Sequence, residues 1–483
     1  MTEKIETGEM LQYFREISKI PRCSGNEKAI SDFLLAFARE NEIEAQQDES
    51  LNIIMKIPAS KGYEDAPVVM LQGHMDMVCV KTEESSHDFE NDPLKLVEKD
   101  GFICAEGTSL GADNGVALAY IMAVAADKSL RHPELECLVT TSEETGMEGV
   151  IGLKTEKLNA GILINLDSEE EGVFLSSSAG GVNNITRIDV RRKREPWHEC
   201  CHEICIKGLK GGHSGAEIDK GRANAISLMG RLLAELDPGV FGIAGIYGGT
   251  KKNAIADRCC AEIVSSFESA EGLKETAGRM EKIFKNEFKS VDPELEIQIS
   301  ESSSKRESFD KASAEKLVAF LRLVASGVQT MSKEVPGLVE SSINLGLAAT
   351  NENQIEITAS VRSSVKSLKD EINGRVALIC SLLGAEMELN SDYPGWEFVS
   401  ESRIRDVMKD SYMELYGKEP SVEAIHAGLE CGFLKEKMPD LDIIAIGPDM
   451  SDVHSTRERL DMASAERTWR LLIKTLENIK FRV

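Results

Sequence analysis

Five separated segments of the chain set a histidine or a carboxylate against the boundary of a short apolar run, and this pattern constrains the fold most. In VVMLQGHMD, His74 and Asp76 stand where the β-rich run 68–71 gives out. In GTSLGADNG, Asp113 lies in a glycine-rich loop just ahead of the apolar run 116–126. Glu143 and Glu144 follow the run 135–140 in CLVTTSEETG, and Asp167 follows 161–166 in GILINLDSEE. In IIAIGPDMSDVHS, His454 comes past the run 442–446. Amphipathic helix patterns at 10–20 and 27–40 alternate with these runs, the second with Ile30, Phe33, Leu34 and Phe37 at helical spacing. Such alternation predicts an α/β domain with a mainly parallel central sheet flanked by helices. Open α/β sheets take ligands outside the carboxyl ends of their strands, so the five segments are expected to meet at one rim.

Near residue 182 the texture changes. A basic stretch at 187–194 is followed by WHECCHEICIKGL, which alternates in period two, and then by long polar helical patterns at 270–289 and 311–323. After the Pro394-Gly395-Trp396 turn the α/β texture returns, with a last helix from Ala463. The expected organisation is a catalytic domain in two parts, 1–183 and 396–483, interrupted by an inserted α+β domain over 184–395.

Composition narrows the function. The chain has 483 residues, 42% of them apolar, enough for a sizeable interior. Lys and Arg total 56 against 82 Asp and Glu, a formal charge of −26, which opposes binding to nucleic acid or to an anionic membrane. The longest apolar run, 116–126, falls well short of the ~20 residues that span a bilayer. The opening MTEKIETGEM is acidic where a signal peptide is basic and then apolar, so a cytoplasmic protein is expected. Eleven scattered cysteines without a C-x-x-C pair predict mostly buried free thiols in a reducing compartment.

Two imidazoles and three carboxylates suit a pair of divalent ions, with one carboxylate bridging them. A water shared by such ions loses a proton near neutral pH and becomes a nucleophile. One carboxylate of the Glu143-Glu144 pair is then free to act as base, and Asp76 is spaced to accept the second ring N–H of His74. A rival motif, His198-Glu199-Cys200-Cys201-His202, matches the H-E-x-x-H zinc signature, which works only on a helix. Pro196 before it and period-two alternation after it predict a strand, where the two histidines stand ~13 Å apart. No metal is expected there.

GHMDMV, GTSLGADNG, SEETGMEG, INLDSEE and GPDMSDVHS resemble the motifs of the aminoacylase/carnosinase family of dinuclear zinc peptidases. GADNGVALAY, SSSAGG, GLKGGHSG and HAGLECG are similar, more narrowly, to the aminoacyl-histidine dipeptidases, bacterial enzymes that cleave Xaa-His and related dipeptides. The resemblance runs through essentially the whole chain. It implies that His74 and Asp167 hold one metal, Glu144 and His454 the other, and Asp113 bridges. It implies Glu143 as general base and Asp76 as the group orienting His74. The inserted domain of this family is a lid. His213, in GGHSG, matches its oxyanion-stabilising or carboxylate-binding histidine, and Asn253 and Arg362 match lid residues that contact substrate. Arg362 departs from the pattern in being followed by Ser363 and Ser364 where an acidic residue is usual. His426 and Glu430, in HAGLECG, are expected beside the pocket as substrate-binding residues. The implied cofactors are two divalent ions, zinc by default, with manganese or cobalt as substitutes, and the implied substrates are dipeptides. Family alternatives are a deacylase or tripeptidase; outside enzymes, the alternative is a silent metal or peptide binder. A lid of roughly 200 residues can supply His213 within one chain, whereas a short lid borrows it across a homodimer, so either state fits.

Overall fold

The computed structural model describes residues 8–303 and 307–480; the acidic segment MTEKIET lies outside them. The chain divides into two compact units, 1–177 with 398–424 and 429–483, and 178–397 with 425–428.

The first unit is built on an eight-stranded sheet. Its centre is parallel: Leu135–Thr140, Val69–His74, Ile162–Asn165 and Asp442–Ala445 lie side by side in that order. Antiparallel strands flank this core, Ile53–Ile57 and Glu44–Gln47 on one side and Val173–Ser178 on the other. Parallel strands covered on both faces read as continuous apolar runs, and all residues of Val69–His74 and Leu135–Thr140 are buried. The helix Ala112–Ala126 is apolar all round because it is wrapped by neighbours: every residue from Asn114 to Ala125 is buried. Helix Gly8–Ile17 packs on it, and Phe14 and Ile17 are wholly buried there. The terminal helix Met462–Asn478 starts where the Asp461 carboxylate accepts the Ser464 N–H, and Trp469 stacks on Tyr120 at 6.0 Å.

The second unit holds a nine-stranded antiparallel sheet. Helices Ala225–Leu233, Ala270–Glu287, Lys311–Leu323 and Lys366–Leu383 cover a separate core, with Ile204, Ile263, Leu317 and Val361 among its buried residues. Strand Cys200–Lys207 carries His202, while His198 lies in the loop before it, so the H-E-x-x-H spacing is not helical. His198 Nε2 sits 3.3 Å from Ser308 Oγ, and His202 Nε2 3.5 Å from Cys200 Sγ.

Most cysteines are free thiols as expected, five of them buried, but four are not. Cys23–Cys79 and Cys205–Cys260 are paired as disulfides, and seven cysteines are free. Cys205 and Cys260 face each other across registered strands, and a bridge between Cys23 and Met77 lays the other two segments together. Partners 55 and 56 residues apart leave no spacing signal. Among the described residues, no helix is long and apolar enough to cross a membrane.

Candidate active site

Parallel pairing places the carboxyl ends of the four central strands on the same edge of the first unit. His74 is the last residue of its strand, and Asp167 stands two residues past Asn165. Beyond Thr140 the chain turns through Ser142 at φ 55°, which presents Glu143 and Glu144 in a single 3₁₀ turn. Asp113 sits at the start of helix Ala112–Ala126, where the backbone leaves helical angles at Asp113 and Asn114. His454 adopts φ 59° in the loop after Met450–Ser451.

These side chains converge on the Asp113 carboxylate. His74 Nε2 is 3.0 Å from Asp113 Oδ1 and 3.5 Å from Asp167 Oδ1. His454 Nε2 is 3.1 Å from Asp113 Oδ2 and 2.9 Å from Glu144 Oε1. Each oxygen of Asp113 therefore faces one histidine, and each of those histidines also meets one further carboxylate. Behind His74, Asp76 Oδ1 meets Nδ1 at 3.2 Å, leaving Nε2 directed into the cluster. Asp76 also accepts the Glu143 and Glu144 amides at 3.1 and 3.2 Å and the Ser24 hydroxyl at 2.8 Å. Glu143 is absent from the carboxylates paired with either imidazole.

The field of this cluster favours positive charge. The Asp113 and Glu144 carboxylates push the His454 imidazole up to about 11. Burial works against the His74 cation, yet Asp167, Asp113 and Asp76 hold its pKa well above the ordinary value. Glu144 Oε1 is buried and receives no directed hydrogen bond. Ligand atoms of His74, Asp113 and Glu144 all lie within 4.8 Å of one another. A mixed imidazole–carboxylate set, with the buried Glu144 Oε1 close to His454 Nε2 but outside hydrogen-bond alignment, fits a borderline divalent ion. Burial lifts the Glu143 carboxyl well above its usual range, as suits a group that exchanges a proton.

Glu430 is fully buried in this unit; its Oε2 accepts Thr140 Oγ1 at 2.6 Å and a close bond from Gln72, and burial raises its pKa to about 8. It lies among the strands beneath the cluster, within the field of His74, Asp167 and Asp76. Arg22 and Glu458, both buried, were not singled out by sequence reasoning. Arg22 bonds the carbonyls of Met75, Asp76 and Gly111, and Glu458 accepts backbone amides of the Asp113 loop. Contacts to backbone carry no residue-type signature, so spacing could not reveal them.

The second unit gathers its own cluster. His213 Nδ1 accepts the Gly215 and Ala216 amides at 3.3 and 3.0 Å, so the neutral ring carries its proton on Nε2 as a donor. Burial, then Arg362, lowers its pKa and keeps it neutral. Arg362 is 8% exposed; Nη1 bonds Tyr393 Oη at 2.8 Å, and Nε has no partner. His426 Nε2 lies 2.7 Å from Ser342 Oγ, with its pKa pushed down to about 3 by burial and then Arg362. Gly215 allows this crowding: a Cβ there would lie 2.4 Å from the His426 carbonyl, 3.1 Å from His213 Cε1 and 3.3 Å from Arg362 Nε. Asn253 is exposed, and its carbonyl accepts the Ser214 amide at 2.9 Å.

A two-unit α/β chain with paired imidazoles about a shared carboxylate defines a metallohydrolase scaffold. Residues 70–478 match peptidase family M20/M25/M40, and the chain belongs to that family. It is 34% identical over 470 residues to the cytosol non-specific dipeptidase of Escherichia coli, covering 96% of each. The crystal structure of aminoacylhistidine dipeptidase from Vibrio alginolyticus matches with a TM-score of 0.94 at 33% identity, covering 99% of this chain and 98% of that one. A Staphylococcus aureus tripeptidase shares the fold at 15% identity, with a TM-score of 0.58 and 99% of both chains covered.

Proposed function

We propose that this protein is a metal-dependent dipeptidase of the cytoplasm, cleaving Xaa-His and related dipeptides. The observation that carries the reading is the division of the Asp113 carboxylate, Oδ1 3.0 Å from His74 and Oδ2 3.1 Å from His454. Under this reading His74 and Asp167 hold one ion, His454 and Glu144 the other, and Asp113 serves both. Zinc is the first choice, with manganese and cobalt compatible with the same donors. Bound divalent ions supply Lewis acidity toward water and toward the scissile carbonyl. Glu143, unpaired with either imidazole, takes the proton from the attacking water at its carboxylate and returns it to the leaving amine. Asp76 fixes the His74 ring and, through the Glu143 amide, the base itself.

The second unit contributes groups suited to a short peptide with free termini. The Arg362 guanidinium matches a terminal carboxylate, and the His213 Nε2–H matches a developing oxyanion. The high similarity to two dipeptidases supports dipeptides over longer chains. The Glu143→Gln variant tests the reading: it keeps the size of the side chain but cannot accept a proton. Turnover is expected to fall by at least ~100-fold with metal content unchanged; wild-type turnover in that variant refutes the assigned base.

A further inference from the structure

Glu458 and Arg22 are buried ions that touch neither each other by hydrogen bond nor any of the five converging side chains. Glu458 is 3% exposed and follows His454 by four residues. Its Oε2 accepts Leu110 N and Gly111 N at 2.8 and 2.9 Å, and its Oε1 accepts Ala112 N at 2.8 Å and Asp113 N at 3.4 Å. One carboxylate thus gathers four consecutive amides of the loop that carries Asp113. Arg22, 1% exposed, grips the same loop by its opposite pole, bonding the Gly111 carbonyl, and reaches the Met75 and Asp76 carbonyls at 3.0 and 3.2 Å. Gly111, at φ 66°, is required here, since a Cβ would collide with the Arg22 guanidinium and the Met77 sulfur. Opposite charge lets both ions stay buried, and Glu458 is the foremost carboxylate acting on Arg22.

Three ligand-bearing segments are consequently tied together. Arg22 joins the end of the His74 strand to the Asp113 loop, and Glu458 joins that loop to the His454 turn, where its own amide bonds the Ser455 carbonyl at 3.2 Å. We infer that Glu458, with Arg22 as its counter-ion, is a positioning residue that sets the Asp113 carboxylate between the two histidines and so governs how tightly the pair of metal sites is filled. Both side chains bond backbone groups, and the role is exerted through backbone. Donor groups fixed by such outer partners lose roughly 10–100-fold in metal affinity when the partner is removed. The inference rests on the metal-centre reading above.

Glu458→Gln tests it, because the amide keeps the shape but turns an NH₂ group toward backbone N–H donors. The full-length protein and the variant are titrated with zinc against a chromophoric chelator, and the cobalt-loaded forms are compared by visible absorption. The expected result is a ~10–100-fold loss of affinity and an altered cobalt spectrum in folded variant. Glu458→Asp keeps the charge while withdrawing it by one methylene, and is expected to recover part of that loss; it decides the matter if the glutamine variant does not fold. A purely structural role lowers melting temperature but leaves affinity and cobalt spectrum of the folded fraction unmoved, and that result overturns the inference. Native protein that binds no metal overturns the metal-centre reading and this inference together; native binding with unchanged variants overturns this inference alone.

Discussion

Asp76→Asn separates orientation of a ligand from ligation itself. The carboxylate accepts four hydrogen bonds, from His74 Nδ1 and the Glu143 amide on Oδ1 and from Ser24 and the Glu144 amide on Oδ2. Asparagine offers one acceptor oxygen. Directed at His74 and Glu143, it leaves its NH₂ facing Ser24, whose hydroxyl can turn to accept, and the Glu144 N–H, which cannot. One N–H without an acceptor costs about 1–3 kcal/mol, and the charge assistance to His74 is lost as well. The unpaired N–H burdens the fold with or without metal, whereas the lost charge assistance and orientation of His74 weaken the ligand itself, and loss of such an outer partner typically costs roughly 10–100-fold in metal affinity. Chelator competition with folded protein measures it, and kcat/KM at saturating metal measures the residual defect from a displaced Glu143. Affinity within twofold of native refutes the reasoning, since the bond would then carry no orienting load.

Other consequences reside in the second unit. His426 is buried with its pKa depressed to about 3, so the folded state resists the proton that the unfolded chain binds below 6.5. Its contribution is present above 6.5 and is lost as pH falls toward 3, about 2 kcal/mol by pH 5. Melting in chelator should therefore fall less between pH 7.5 and 5 in His426→Gln than in the native chain; equal slopes reject this. Arg362→Ala removes a buried guanidinium with an unpartnered Nε, and is expected to raise KM at least tenfold for dipeptides while barely affecting dipeptide amides. An equal effect on both substrates denies Arg362 the carboxylate role. Gly215→Ala drives a methyl into the His426 carbonyl, and a loss of about 1–3 kcal/mol by denaturant unfolding is expected.

The catalytic fold was legible because its central strands are covered on both faces. Val69–His74 and Leu135–Thr140 are buried along their whole length and mostly apolar, with Gln72 and Glu136 as buried exceptions, and a polar His74 or Glu143 at such a run's end announces the strand terminus. Parallel pairing then brings those termini together without further information from sequence. The sheet proved mixed, parallel only at its centre, since edge strands such as Glu44–Gln47 are short and half exposed and carry a weak pattern. HAGLECG reads as one segment in the sequence, whereas Ile425–Gly428 belongs to the second unit and Leu429 onward to the first. Arg22 and Glu458 were invisible for a different reason: a side chain that serves backbone amides and carbonyls needs no particular neighbours in sequence.

Release of histidine from Gly-His and β-Ala-His, with and without chelator and then with zinc or manganese restored, tests the central claim most directly. Cleavage that chelator abolishes and metal restores is the predicted result. Failure to cleave these and a panel of other dipeptides, with two ions bound per chain, would contradict the dipeptidase assignment; failure with no ion bound would contradict the metal centre itself.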